Sequence, residues 1–122
     1  MPGPAGRAPA REAIPLSPGL SAVLVEGPSM LPALRPGDCL LVGRPRRLRT
    51  GDVVVARFPS RPDLLVVKRA VRPQDGLWWV EGDNPAVTDD SRRYGPAEVL
   101  GRVLLRYWPP PLGRLPPSRR LA

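Results

Sequence analysis

Leu64-Leu65-Val66-Val67-Lys68-Arg69-Ala70-Val71 is the stretch whose reading decides the fold. It is rich in β-branched and other apolar side chains and lies between two turn signals, Pro62-Asp63 and Pro73-Gln74-Asp75-Gly76, so it reads as a strand. Alternation sets Lys68 on one face with Val66 and Ala70, and Arg69 on the other. Outward from it, short apolar runs between turn signals give further strands at 21–26, 39–43, 53–58, 77–81 and 99–107, with the central one extended to 64–72 and one helical turn just after Ser29. Two runs begin with the same pattern, Arg35-Pro36-Gly37-Asp38 and Arg49-Thr50-Gly51-Asp52. Glycine there permits a positive φ in a tight turn, and aspartate bonds the local backbone as the strand starts. Trp78 and Trp79 fall on opposite faces of their strand, one toward the core and the other toward a surface or cleft. With Pro 19 and Gly 12, long helices are not expected. The expected fold is mainly β, a compact domain of short antiparallel strands with little helix and flexible termini. Residues 1–20 read as a Pro/Gly/Ala-rich tail, 21–108 as the folded body and 109–122 as a Pro/Arg-rich tail.

Composition excludes several classes. A chain of 122 residues, 42% hydrophobic, suits one core. Apolar runs such as Leu64 to Val67 fall far short of the roughly 20 residues that cross a bilayer. Pro15, Pro18 and Gly19 also interrupt any signal-peptide-like run after Met1 to Arg11. The expectation is a cytoplasmic protein without a membrane anchor. A single cysteine, Cys39, and no histidine leave no internal disulfide and no zinc or iron-sulfur site, so no metal and no cofactor are expected, and Cys39 reads as a buried, inert thiol. The net charge of +8 raises the nucleic-acid alternative: a small basic β domain whose binding would weaken steeply with salt. Its distribution argues against that. The body 21–112 holds 14 basic and 10 acidic residues, only +4, and its one dense run, Arg44 to Arg49, reads as a solvated loop. No nucleic-acid partner is expected.

The basic residues are eighteen arginines and one lysine, Lys68. An amine in apolar surroundings loses proton affinity and becomes a base near neutral pH, which arginine cannot do. Taken alone, Lys68 also suits a lysine snorkelling from a strand edge. Of the six serines, Ser29 stands apart: it follows a hydrophobic strand in Glu26-Gly27-Pro28-Ser29-Met30-Leu31-Pro32, where Gly27 and Pro28 force a sharp turn that projects the hydroxyl. Serine needs an adjacent base. Without histidine no Ser-His-Asp triad is possible, and Lys68 is the base that remains. A third segment, Glu81 to Gly95, suits an ordered irregular loop with many side chain to backbone bonds, and packs Asp90, Ser91 and Arg92 together.

Taken in order, Gly27-Pro28-Ser29-Met30-Leu31-Pro32, Gly37-Asp38, Gly51-Asp52-Val53-Val54, Val67-Lys68-Arg69 and Gly82-Asp83-Asn84 with Asp90-Ser91-Arg92 resemble the boxes of the type I signal peptidase family of Ser-Lys proteases, over roughly residues 21 to 108. The resemblance implies a signal peptidase-like β domain with Ser29 as nucleophile, Lys68 as general base and Thr88 as the hydroxyl that positions the amine. It also implies a structural pair of Asp90 and Arg92 with Ser91 beside them, and a turn shaped by Met30 and Pro32. Gly27 departs from the members that carry a hydroxyl there as an oxyanion donor. Small size, arginine richness and the segments Arg57 to Val71 and Arg106 to Pro109 are similar to the branch that matures nickel-type superoxide dismutases. That implies as partner the dismutase precursor, whose N-terminal propeptide would be removed, the nickel belonging to the substrate. A repressor-type peptidase cutting another protein is the alternative within the enzymes.

Overall fold

The computed structural model describes residues 13–113 and 115. Seven strands carry the chain: β1 (Ala13–Ser17), β2 (Leu20–Leu24), β3 (Cys39–Gly43), β4 (Val53–Phe58), β5 (Arg61–Gln74), β6 (Leu77–Glu81) and β7 (Glu98–Trp108). One helical turn, α1 (Ser91–Tyr94), precedes β7. They form one antiparallel sheet of order β1-β2-β3-β7-β4-β5-β6, so the mainly β class with little helix holds.

Both Arg-x-Gly-Asp segments work as their chemistry suggested. Asp38 Oδ2 accepts the Arg35 amide at 2.9 Å and Asp52 Oδ2 that of Arg49 at 2.8 Å, while Gly37 and Gly51 take φ of 97° and 99°. Each closes a turn that feeds a strand. β5 pairs with β4 in the register Val54 to Lys68 and Val53 to Arg69, and with β6 through Arg69 to Glu81.

Two apolar clusters make the core. The first gathers Val23, Val25, Met30, Leu34, Leu40, Val42, Val53, Val55, Val67 and Val103. The second gathers Val54, Ala56, Phe58, Val66, Ala70, Val80 and Ala97, with Trp78 packed against it. Trp79 lies on the other side, under the Arg72 guanidinium at 4.7 Å and donating to Glu81 at 2.8 Å, so the two tryptophans divide as alternation requires.

Four stretches differ from the sequence reading. β5 runs from Arg61 to Gln74, through Pro62-Asp63 and Pro73-Gln74, which alone suggested turns at its ends. Ala13–Ser17, taken as tail because of its prolines, is an edge strand; Pro15 is tolerated there because an edge leaves one side of the ladder without a donor requirement. The chain beyond Trp108 turns back, and Gly113 pairs with Arg106 through bonds of 3.0 and 3.1 Å. Residues 1–12, 114 and 116–122 lie outside the described residues. The loop after β6 ends in α1, because Asp90 caps it and Gly95, at φ 79°, closes it on the Ser91 carbonyl. Among the described residues, no helix is long and apolar enough to cross a membrane.

Candidate active site

Ser29 stands five residues beyond the end of β2, in a turn that the backbone ties down. The Leu31 amide donates to the Pro28 carbonyl at 3.1 Å and that of Leu34 to Met30 at 3.0 Å, so irregular turns stand where a helical turn was expected after the serine. Met30 and Leu34 are buried in the first cluster and anchor the turn to the core. Gly27 takes φ 95°, a conformation that disfavours any side chain.

From the far edge of the sheet, the segment after β6 reaches this turn. A Cβ placed on Gly82 would lie 2.6 Å from the Ser29 carbonyl oxygen and 3.3 Å from Ser29 Cβ, so only glycine lets the two backbones approach this closely. Asn84 grips the same turn twice: its amide donates to the Ser29 carbonyl at 2.9 Å, and its Nδ2 to the Pro28 carbonyl at 3.0 Å. Its Oδ1 accepts the Ala86 amide at 3.0 Å, which fixes the side chain.

Lys68 sits on the β5 face shared with Val66 and Ala70, 3% exposed. Burial pushes the proton affinity of its amine below the ordinary lysine value; the charges of Asp90 and Asp89 pull it back up, Arg92 pushes it down, and the net direction is down. Asp90 is fully buried. It accepts the Gly82 amide at 2.9 Å, the Arg92 amide at 3.1 Å, and Arg92 Nε and Nη2 at 2.9 and 2.6 Å. Burial alone would push its carboxyl up, but these bonds outweigh it and hold it below the usual carboxylate range. Ser91 is also buried, and its hydroxyl accepts the Val80 amide at 2.8 Å, docking α1 on β6. Thr88 is exposed and enters through its carbonyl, which accepts the Asp90 amide at 2.9 Å.

Gly82 is therefore the shared neighbour: one side of it packs on Ser29, and its amide is held by the carboxylate whose field acts on Lys68. Sequence reasoning picked out Asp90, Ser91 and Arg92 together, but gave Gly82, Asp83, Asn84 and Arg69 no site role. Arg69, on the opposite face of β5, binds Asp83 at 2.6 and 3.2 Å and donates to the Gly51 carbonyl at 2.9 Å, locking the loop that carries Gly82 and Asn84 to β4 and β5. The signal was present in the sequence as an arginine within one strand and an aspartate just past the end of the next. Among the described residues, no group of three or more His, Cys, Asp and Glu is placed to hold a metal ion.

The family model described as Peptidase S24-like matches residues 8–104. Mitochondrial inner membrane protease subunit 1 of Xenopus tropicalis is 33% identical over 114 residues, covering 71% of this chain and 68% of its own. Mitochondrial ATP-independent inner membrane protease subunit 1a of Arabidopsis thaliana is 34% identical over 121 residues, covering 75% and 72%. Mitochondrial inner membrane protease subunit 2 of Danio rerio is 31% identical over 130 residues, covering 79% and 71%. These names speak of mitochondrial inner membrane proteases rather than dismutase-maturing enzymes, so they show the family and not that branch of it. They also overturn the expectation of a cytoplasmic protein, which rested on the lack of a long apolar run, a feature that reports on spanning and not on location. With its matched model and these relatives, the chain belongs to the Peptidase S24-like family, a signal peptidase-like family of proteases.

Proposed function

We propose that this protein is a serine endopeptidase working through a Ser29–Lys68 dyad. The observation that carries the reading is the burial of the chain's one lysine next to Arg69, which pairs with Glu81 at the start of the segment, Gly82 to Asn84, that packs on and bonds the Ser29 turn. A lysine kept from water has its neutral form favoured, and the neutral amine is a base.

In the proposed reaction neutral Lys68 takes the hydroxyl proton as Ser29 Oγ attacks the scissile carbonyl, forming the C–O bond of the tetrahedral intermediate. The Ser29 amide stabilises its oxyanion; Gly27 offers no hydroxyl, so backbone supplies this function. Protonated Lys68 then donates to the leaving amine as the C–N bond breaks. Water, deprotonated by the same lysine, releases the acyl group. Thr88 orients the amine, and Asp90 with Arg92 fixes the loop from below. As the acyl C–O bond breaks, Lys68 passes the proton taken from water to Ser29 Oγ, so in each half-reaction it gives up the proton it has just accepted and ends neutral.

The substrate is a protein, and the precursor of a nickel-type superoxide dismutase is the finer assignment, supported by the likeness of Arg57 to Val71 and Arg106 to Pro109 to that branch. Incubating the chain with such a precursor and weighing the products tests both levels. Loss of the N-terminal propeptide with the wild type, and none with Ser29→Ala, is the expected result. Cleavage of other presequences alone would keep the peptidase and remove the dismutase assignment.

A further inference from the structure

Between β3 and β4 the chain steps from one side of β7 to the other, and it does so through Arg44-Pro45-Arg46-Arg47-Leu48-Arg49. All four arginines are exposed. Among the described residues the ion pairs are made by Arg57, Arg69, Arg92 and Arg93, so none of the four loop guanidinium groups meets a carboxylate. The nearest acid in sequence, Asp52, turns its Oδ2 to the Arg49 amide and so serves the turn rather than a side chain. Charges of one sign this close in the chain repel one another, and a cluster of them draws in anions.

The run is solvated, as its composition suggested, but it is not loose. The Arg46 amide donates to the Arg44 carbonyl at 2.8 Å, and Arg47 holds a φ of 52°. Leu48 packs against the second core cluster. Beyond it Thr50 Oγ1 donates to the Val71 carbonyl at 2.8 Å, the Gly51 amide to that of Ala70 at 2.8 Å, and the Ala70 amide to that of Asp52 at 2.7 Å. At the other end Arg44 lies along the β1–β2 turn, where a Cβ on Gly19 would fall 2.6 Å from its Nε. The arginines therefore stand on a fixed frame, and a pre-organised cluster gives up less entropy when it binds. That frame leads to the candidate site. Arg69 and Ala70, which hold it, follow Lys68 directly, and Arg69 joins the Gly51 carbonyl to Asp83 in the segment that packs on the Ser29 turn.

We infer that the loop Arg44 to Arg49 is a docking site for an acidic segment of the protein substrate, separate from the bond that is cut. That the segment belongs to a substrate rests on the peptidase reading; that it is acidic rests on the loop alone. Guanidinium groups take carboxylates through two parallel N–H bonds, a geometry that an acidic peptide supplies. A nucleic acid is served less well. Residues 44–52 include no Phe, Tyr or Trp on which a base would stack, and the body 21–112 is only +4, a small excess for a surface that follows phosphates. A substrate held by the loop raises its own concentration at Ser29 through the connecting chain.

Fluorescence anisotropy of a labelled glutamate-rich peptide against the full chain carrying Ser29→Ala tests the surface and reads no cleavage. The peptide is expected to bind and to be released by salt. A quadruple variant, Arg44→Ser, Arg46→Ser and Arg49→Ser with Arg47→Asn, asparagine being tolerant of the positive φ, should lose about 30-fold in affinity, since each exposed charge pair is worth about two- to threefold. Arg46→Glu alone, at an exposed position, should lose about fivefold, because it removes one attraction and adds one repulsion. With Ser29 present, a cleavable presequence joined by a Gly/Ser linker to a run of glutamates should show a lower KM than the same presequence joined to serines, and the quadruple variant should erase that difference at unchanged kcat. No binding, or binding indifferent to the arginines, would overturn the inference. So would a KM unmoved by the glutamates, or a single-stranded RNA bound more tightly than the peptide with the same arginine dependence, which would assign the loop to nucleic acid. Arginine-dependent binding without cleavage of either peptide would uphold the acidic docking site and remove the peptidase reading alone.

Discussion

Two neighbouring cations on β5 are buried alike and do opposite work. Lys68 and Arg69 are 3% and 4% exposed, but they face opposite sides of the strand. On its side Arg69 meets a bidentate carboxylate and a carbonyl, so its charge is satisfied in every state of the protein. Lys68 has only the more distant fields of Asp90 and Asp89, which burial outweighs. In the proposed dyad the chain uses arginine for fixed charge and keeps its one lysine for the place where a proton is to leave. Burial alone does not distinguish a structural cation from a reactive one; what faces it does.

That contrast breaks most completely on the Lys68 side. Lys68→Arg keeps the charge and removes the base, so precursor cleavage should fall by about 10² to 10⁴-fold, with Ser29→Ala at least as damaging and both proteins still folded by circular dichroism. Retained cleavage in Lys68→Arg would leave the two cations without the proposed difference. On the Arg69 side the loss should appear as stability. Asp83→Ala strands a buried guanidinium and should cost about 3 to 5 kcal/mol in denaturant unfolding, while Asp90→Ala, whose partner Arg92 is partly in water, should cost less. Equal losses would mean that the two pairs are not divided by burial. Asn84→Ala removes the side-chain grip on Pro28 and should lower kcat about fivefold at unchanged KM, since one such bond is worth about 1 kcal/mol.

The smallest expected effect sharpens the comparison from the opposite direction. Because the folded value of Lys68 is lowered, the unfolded chain binds the extra proton between the folded value and about 10.4, so this residue makes stability rise with pH across that window and costs stability below it. Lys68→Met should therefore unfold at slightly higher temperature than wild type at neutral pH, and lose the rise. An unchanged or lower midpoint would show that the buried amine is not a strained one.

Much of this was legible in the sequence, and for definite reasons. The strand pattern of Leu64 to Val71 and both Arg-x-Gly-Asp starts were local: turn chemistry and alternation decide them, and the folded chain keeps them. The face shared by Lys68, Val66 and Ala70 followed from the same alternation. β1 was lost because proline content outweighs alternation in a short run, and an edge strand is the one setting where that weighting fails. The contribution of Asn84 and Gly82 was hidden because it is made across 55 and 53 positions of chain, by a backbone approach that no local pattern encodes. The family boxes pointed to the same segments as blocks, without saying that one segment backs the other.

The most direct measurement follows from the composition. With a single lysine in the chain, an NMR titration of the Lys68 ε-amine in Ser29→Ala protein reads one resonance with no assignment problem. The account requires a midpoint below the ordinary lysine value, matching the rise of the wild-type cleavage rate with pH. An amine titrating at the ordinary value, or a rate flat across that midpoint, would contradict it.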